Sequence, residues 1–192
     1  MSAAVAEQLA SFVGLLAKWN ATLNLTGFPL DPPSDEALNR LLIEPLAAAP
    51  LIPAHVKVAI DVGSGGGSPA IPLKLLRPVI QFILVESKTR KGAFLREAVR
   101  HLELGGVAVE SSRFDALASR PEFQATADLL TVRAVRLDDE FWMPAATVLR
   151  RGGHVLLFGT QEAAPSLPPG FESAQSVQVQ GTTAVITLAR RA

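Results

Sequence analysis

The segment Asp61-Val62-Gly63-Ser64-Gly65-Gly66-Gly67-Ser68-Pro69 constrains this chain more than any other. It follows Val56-Lys57-Val58-Ala59-Ile60-Asp61-Val62, which reads as a buried strand, and it leads into a stretch with helical spacing. Glycine reaches positive φ without a Cβ penalty and lets a ligand approach the backbone closely. The helix N-terminus beyond offers unpaired N–H groups to a carboxylate or a phosphate. Glu86 closes the next apolar run, Val79–Glu86, 23 residues after Gly63. A carboxylate there can receive two ribose hydroxyls.

Two cofactors use such a layout. A dinucleotide fold wants Gly-x-Gly-x-x-Gly/Ala, which Gly65-Gly66-Gly67-Ser68-Pro69-Ala70 matches. An S-adenosylmethionine fold wants an acid, then Gly-x-Gly-x-Gly, then an acid ending the second strand. Asp61, Gly63, Gly65, Gly67 and Glu86 fill that register. A proline two residues after the last glycine suits a pyrophosphate-binding helix start poorly. A glycine turn that binds nothing is the third reading.

The rest of the chain extends the same grammar. Val5, Leu9, Phe12, Val13, Leu16 and Trp19 recur at helical spacing over residues 2–19. Ser34 is placed to cap a second helix carrying Leu38, Leu41, Leu42 and Leu46, which Pro45 should kink or shorten. Beyond the glycine turn come a basic amphipathic helix over 88–104, a strand over 107–110 and a strand over 128–132. A helix over 137–149 and a strand over 153–158 follow, and two tail strands span 171–180 and 183–189. The Ala/Pro-rich stretch 163–169 reads as a loop. Strands alternating with helices imply βαβ units. The expected fold is an α/β doubly wound sheet of seven mostly parallel strands, closed by an antiparallel hairpin. Residues 1–54 form an N-terminal helical cap and residues 55–192 the cofactor-binding unit, together one compact body.

Composition narrows the chemistry. The chain of 192 residues has no cysteine, which removes disulfides, zinc–thiolate sites and cysteine nucleophiles. His55, His101 and His154 lack metal-ligand spacing, so no metal is expected. No apolar run approaches a membrane span and no signal peptide is evident, so the expected compartment is cytoplasm. With 18 basic and 18 acidic residues the net charge is zero, but it is unevenly spread. Residues 1–56 hold two basic residues against five acids, while Lys88, Arg90, Lys91, Arg96 and Arg100 face one acid, Glu97. A one-sided basic helix can follow a phosphate backbone or can simply be a solvated face. Trp19, Phe12 and Trp142 read as core.

Several segments together resemble the glucose-inhibited division protein B family, the bacterial guanine-N7 methyltransferases of 16S rRNA. Trp19-Asn20-Ala21-Thr22-Leu23-Asn24-Leu25-Thr26 resembles the family's Trp-Asn…Asn-Leu-Thr segment. Asp61–Leu73 resembles its glycine loop, including both prolines, and Glu86-Ser87…Arg90-Lys91…Phe94-Leu95-Arg96 resembles its second-strand segment. Ser112-Arg113 and Arg133-Ala134 fall where the family has comparable pairs. The chain also departs from the pattern. Arg40-Leu41-Leu42-Ile43-Glu44-Pro45 stands where the family has Arg-His-x-Leu-Asp-Ser, and Phe158-Gly159 stands where it often has Lys-Gly.

The resemblance implies a class I methyltransferase using S-adenosylmethionine. Gly63, Ser64, Gly65 and Gly67 would hold the methionine end, with Asp61 supporting the turn or the cofactor amine. Glu86 would take the ribose, Phe114 and Asp115 the adenine, and Arg133 the cofactor carboxylate or RNA. Lys88, Arg90, Lys91, Arg96 and Arg100 would bind RNA phosphates. The partner would be 16S rRNA or the small ribosomal subunit, and the protein a monomer. No catalytic acid or base is expected, because guanine N7 is already a nucleophilic lone pair. Three other readings stay open: a non-catalytic RNA- or protein-binding relative, a methyltransferase for another substrate, and a dinucleotide oxidoreductase.

Overall fold

The computed structural model describes residues 2–160 and 166–192. Its centre is a seven-stranded sheet of order β3-β2-β1-β4-β5-β7-β6. The strands are β1 (Val58–Val62), β2 (Gln81–Val85), β3 (Val107–Glu110), β4 (Ala127–Arg133), β5 (Leu149–Thr160), β6 (Phe171–Gln178) and β7 (Ala184–Arg191). β1 to β5 are mutually parallel, β7 runs antiparallel to β5, and β6 pairs antiparallel with β7. This is the expected doubly wound sheet with its closing hairpin. β1 and β4 are buried along almost their whole length because both faces of a parallel sheet are covered.

Helix α1 (Ala3–Leu23) is capped by Ser2, whose hydroxyl accepts from the Val5 N–H, and buries Leu9, Phe12, Val13 and Leu16. It runs four residues past the expected end at Trp19. Asn20 then turns the chain back, its Oδ1 accepting from the Leu25 and Thr26 N–H groups at 2.7 and 2.9 Å. α4 (Ala70–Leu76) and α5 (Thr89–His101) pack with α1 into one cluster that contains Phe12, Leu16, Phe82 and Phe94. α7 (Asp139–Val148) lies in a second cluster with Phe141, Trp142, Val62 and Leu130.

The second cap helix runs on through Pro45 and carries a π turn just before it. α2 (Asp35–Leu38), capped by Ser34, passes into a π turn over Asn39–Ile43, and α3 (Glu44–Ala48) resumes with Pro45 in its first turn. The expected effect of Pro45 thus falls one turn upstream, because the proline occupies a position whose N–H the resumed helix does not need.

Other differences have local causes. β5 begins at Leu149 instead of Gly153, and a register shift in its pairing with β4 takes up Arg150–Gly152. α6 (Phe114–Ala118) was not anticipated, being too short to show a period. Of the expected loop 163–169, residues 163–165 lie outside the described residues. No helix among the described residues is long and apolar enough to cross a membrane.

Candidate cofactor site

Gly63, Gly65 and Gly67 have φ of 72°, 49° and 86°. They turn the chain through a tight reversal between β1 and α4, which side chains with a Cβ adopt only under strain. At Gly67 a Cβ would also lie 2.6 Å from Ile71 Cδ1. At Gly66 it would press on Leu16 Cδ1 and on the Leu25 carbonyl, both at 3.3 Å, so the cap lies directly against the turn.

Glu86 is buried and ties the turn to the next unit. Its Oε2 accepts from the Gly65 N–H at 2.9 Å and its Oε1 from the Lys88 N–H at 2.8 Å. The Gly63 and Ser64 N–H groups both donate to the Val85 carbonyl. Each Glu86 oxygen keeps a further lone pair, so the carboxylate can still accept hydroxyl donors. Ser64 is buried, its hydroxyl donating to the Asp61 carbonyl at 3.1 Å.

Asp61 is 1% exposed. Its Oδ1 accepts from Thr131 Oγ1 at 2.5 Å, and its Oδ2 is buried with no partner. Burial pushes its carboxyl up to about 6, against the opposing pull of Thr131, Ser64 and Arg133. A buried carboxylate oxygen without a donor is costly and marks a place for one.

A cleft of about 310 Å³ opens at the carboxyl ends of β1 to β4, where open α/β sheets bind ligands. Gly63, Ser87, Phe114, Asp115, Val135 and Phe141 are among its walls. Ser112 also lines it, and its hydroxyl is a second buried polar atom without a partner. Asp115 lies in the first turn of α6, and a hydrogen bond from Arg113 holds its carboxyl below the usual range. Sequence reasoning missed Ser87, Val135 and Phe141. The signal available for Ser87 and Val135 was their place just past β2 and β4.

The structure brings Gly63, Phe114 and Asp115 together in the cleft; Asp61, Ser64, Gly65, Gly67 and Glu86 do not line it, and Ser64 and Glu86 brace the turn through their hydrogen bonds. Arg133 is turned away. Its side chain is 10% exposed, pairs with Glu44 at 3.2 Å, donates to the Arg40 carbonyl and lies over the Phe158 ring at 4.5 Å. Burial lowers it to about 10, so it remains a cation at neutral pH. Of the five basic residues on and beside α5, Arg100 is bound to Glu97 and Arg96 to Ser111, both at 2.7 Å. Lys88, Arg90 and Lys91 make no ion pair among the described residues.

The polar groups fit S-adenosylmethionine. Asp61 Oδ2 suits an ammonium group, Glu86 suits vicinal hydroxyls, and the Phe114–Phe141 pair, with ring centroids 5.9 Å apart, gives one wall an apolar surface for a purine. No group of three or more His, Cys, Asp or Glu residues is placed to hold a metal ion among the described residues. A larger groove of about 460 Å³ in the cap is lined wholly by apolar side chains and glycine and offers no such polar groups.

The family model described as rRNA small subunit methyltransferase G matches residues 5–187. A relative named ribosomal RNA small subunit methyltransferase G, from Xanthomonas axonopodis pv. citri, is 39% identical over 174 residues, covering 89% of this chain and 78% of its own. One of the same name from Neisseria meningitidis serogroup A is 36% identical over 148 residues, 77% and 67% of the two chains. Among solved structures, an S-adenosylmethionine-dependent methyltransferase from Aquifex aeolicus superposes with a TM-score of 0.63 at 16% identity, covering 82% and 94%. TYW2 of M. jannaschii in complex with AdoMet superposes at 0.55 and 15% identity, covering 78% and 75%.

Proposed function

Because the chain belongs to the rRNA small subunit methyltransferase G family, we propose that it methylates guanine N7 in 16S rRNA. It is an S-adenosylmethionine-dependent methyltransferase. The observation that carries the proposal is the unpartnered Asp61 Oδ2 at the root of the glycine turn, together with a cleft beyond that turn whose wall holds an unpartnered hydroxyl, Ser112. Asp61 receives the cofactor's amine, and Gly63, Ser64, Gly65 and Gly67 shape the pocket for its methionine end. Glu86 takes ribose hydroxyls, and Phe114 and Asp115 flank the adenine. Arg133, engaged by Glu44, supports the site from behind.

The bound cofactor supplies a methyl group on a sulfonium. Guanine N7 carries its own lone pair, so this chain has no proton to remove before transfer. Its task is to hold the base in line at near-attack distance and to exclude water. Lys88, Arg90 and Lys91 bind RNA phosphates beside the cleft. The rRNA or the small ribosomal subunit is the partner, the compartment is cytoplasm and the protein acts as a monomer. Residues 1–54 serve as the cap of the cofactor unit 55–192.

The test is mass spectrometry of rRNA from a deletion strain. One 7-methylguanosine should vanish from 16S rRNA and return on complementation. An unchanged modification profile, with methyl incorporation into metabolite extracts instead, would overturn the RNA reading.

A further inference from the structure

The π turn in the second cap helix takes the α-helical donor from two carbonyls, and both accept from the cofactor half instead. In the π turn the Glu44 N–H donates five residues back, to the Asn39 carbonyl, and passes over Arg40. The next residue, Pro45, has no N–H. The Arg40 carbonyl therefore lacks both its α-helical and its π-helical donor, and the Leu41 carbonyl lacks its α-helical one. Ser68 Oγ donates to the Leu41 carbonyl at 2.9 Å, and Arg133 Nη1 donates to the Arg40 carbonyl. The same guanidinium nitrogen lies 3.3 Å from Ser68 Oγ. Ser68 is the residue at which the glycine turn leaves for α4, and Arg133 ends β4.

We propose that the π turn of the cap helix sets the shape of the cofactor turn, with Ser68 as the positioning residue that carries the effect and Pro45 as the residue that keeps its acceptor free. This rests on the glycine turn holding S-adenosylmethionine. A π turn that only relieved proline strain would need no partner outside the helix. Here the two carbonyls are bonded to the far end of the glycine turn and to the end of β4, one through the Ser68 hydroxyl and one through the buried Arg133 cation.

Two substitutions in the full-length protein test the proposal. Ser68→Ala removes the donor. Pro45→Ala adds a competing N–H within the helix while improving its helical propensity. Each should weaken S-adenosylmethionine binding by about fivefold in calorimetric titration, the loss of one hydrogen bond. Turnover at saturating cofactor should stay within about twofold, and the melting temperature of Pro45→Ala should not fall. The double variant should bind no more weakly than either single, because both act on one contact. In the ligand-free protein, amide exchange over residues 63–70 should quicken in both variants. Wild-type exchange in both, or single losses that multiply in the double, overturns the proposal. Failure of the wild-type protein to bind S-adenosylmethionine would overturn the cofactor reading alone, since the exchange experiment needs no ligand.

Discussion

Thr131 and Asp61 face each other in register across the parallel β4–β1 pair, and the Thr131 hydroxyl gives Asp61 Oδ1 a hydrogen bond of 2.5 Å inside the sheet. Both residues are within 1% of full burial, so water cannot substitute for that donor. Thr131→Val keeps the shape and removes the hydrogen bond. Stability at pH 7.5 should fall by ~2 kcal/mol, as expected for a bond to an ionised group. At pH 5, where Asp61 carries its proton, the loss should be smaller. Urea unfolding at the two pH values checks this, and equal losses would show that Thr131 does not stabilise the charge.

The carboxyl of Asp61 gives the free protein an unusual pH profile. In the folded state it titrates at about 6, against 3.8 for the ordinary side chain. Between those values the folded state holds a proton that the unfolded chain has released. This group's contribution therefore falls as pH rises from about 4 to about 6, by up to ~3 kcal/mol. Asp61→Asn should flatten that part of the stability profile. Cofactor binding should run the other way, because an ammonium ligand favours the ionised carboxylate. Affinity should rise from pH 5 to pH 7 with proton release on binding, measurable as buffer-dependent heat.

Glu44 is 2% exposed and bridges Arg40 and Arg133, with both contacts at 3.2 Å. Glu44→Ala leaves the buried Arg133 cation without its counter-charge. The expected loss is ~3 kcal/mol or more, which thermal or urea denaturation would register. A loss under ~1 kcal/mol would mean that Arg133 escapes to solvent.

Gly67 and Gly170 have nearly equal φ, 86° and 87°, but only Gly67 is crowded. Gly170→Ala should cost about 1 kcal/mol from backbone strain and leave cofactor binding intact. Gly67→Ala adds the clash with Ile71 and should cost roughly twice that or more while weakening the cofactor at least tenfold. Similar binding by the two variants would remove the glycine turn from the cofactor site.

Replacing Lys88, Arg90 and Lys91 with Ala should weaken rRNA binding and lower its salt slope by up to about 3, since these cations make no ion pair among the described residues. Arg96→Ala and Arg100→Ala should each do less, their guanidinium groups being already engaged. A uniform effect across all five would mean that the Glu97 and Ser111 contacts give way to RNA.

How much of this was legible in the sequence depends on the range of each interaction. The β1–turn–α4–β2 unit was plain, because alternating runs and glycine spacing are local signals. Ser34 as a cap was equally local. α6 was invisible because five residues cannot display a period. The start of β5 was hidden by Arg150-Arg151-Gly152-Gly153, which reads as a turn and is absorbed as a register shift. Arg133 illustrates the deeper limit. Its position at a strand's carboxyl end pointed to a ligand, but its partner Glu44 lies 89 residues away, and no spacing rule reaches that far. Glu86 was read as a ribose acceptor, while its additional hold on the Gly65 N–H required the fold to bring the two together.

The apolar cluster that contains Phe12 and Leu16 of α1 continues without a gap through Phe82 and Phe94 to Ile186 of β7. Residues before and after position 54 thus share one hydrophobic core. A fragment beginning at residue 55 would expose one face of its own interior and lose the wall behind Gly66. The cap cannot be exchanged as a cassette for one with a different partner. The cap belongs to the same hydrophobic interior as the sheet it covers.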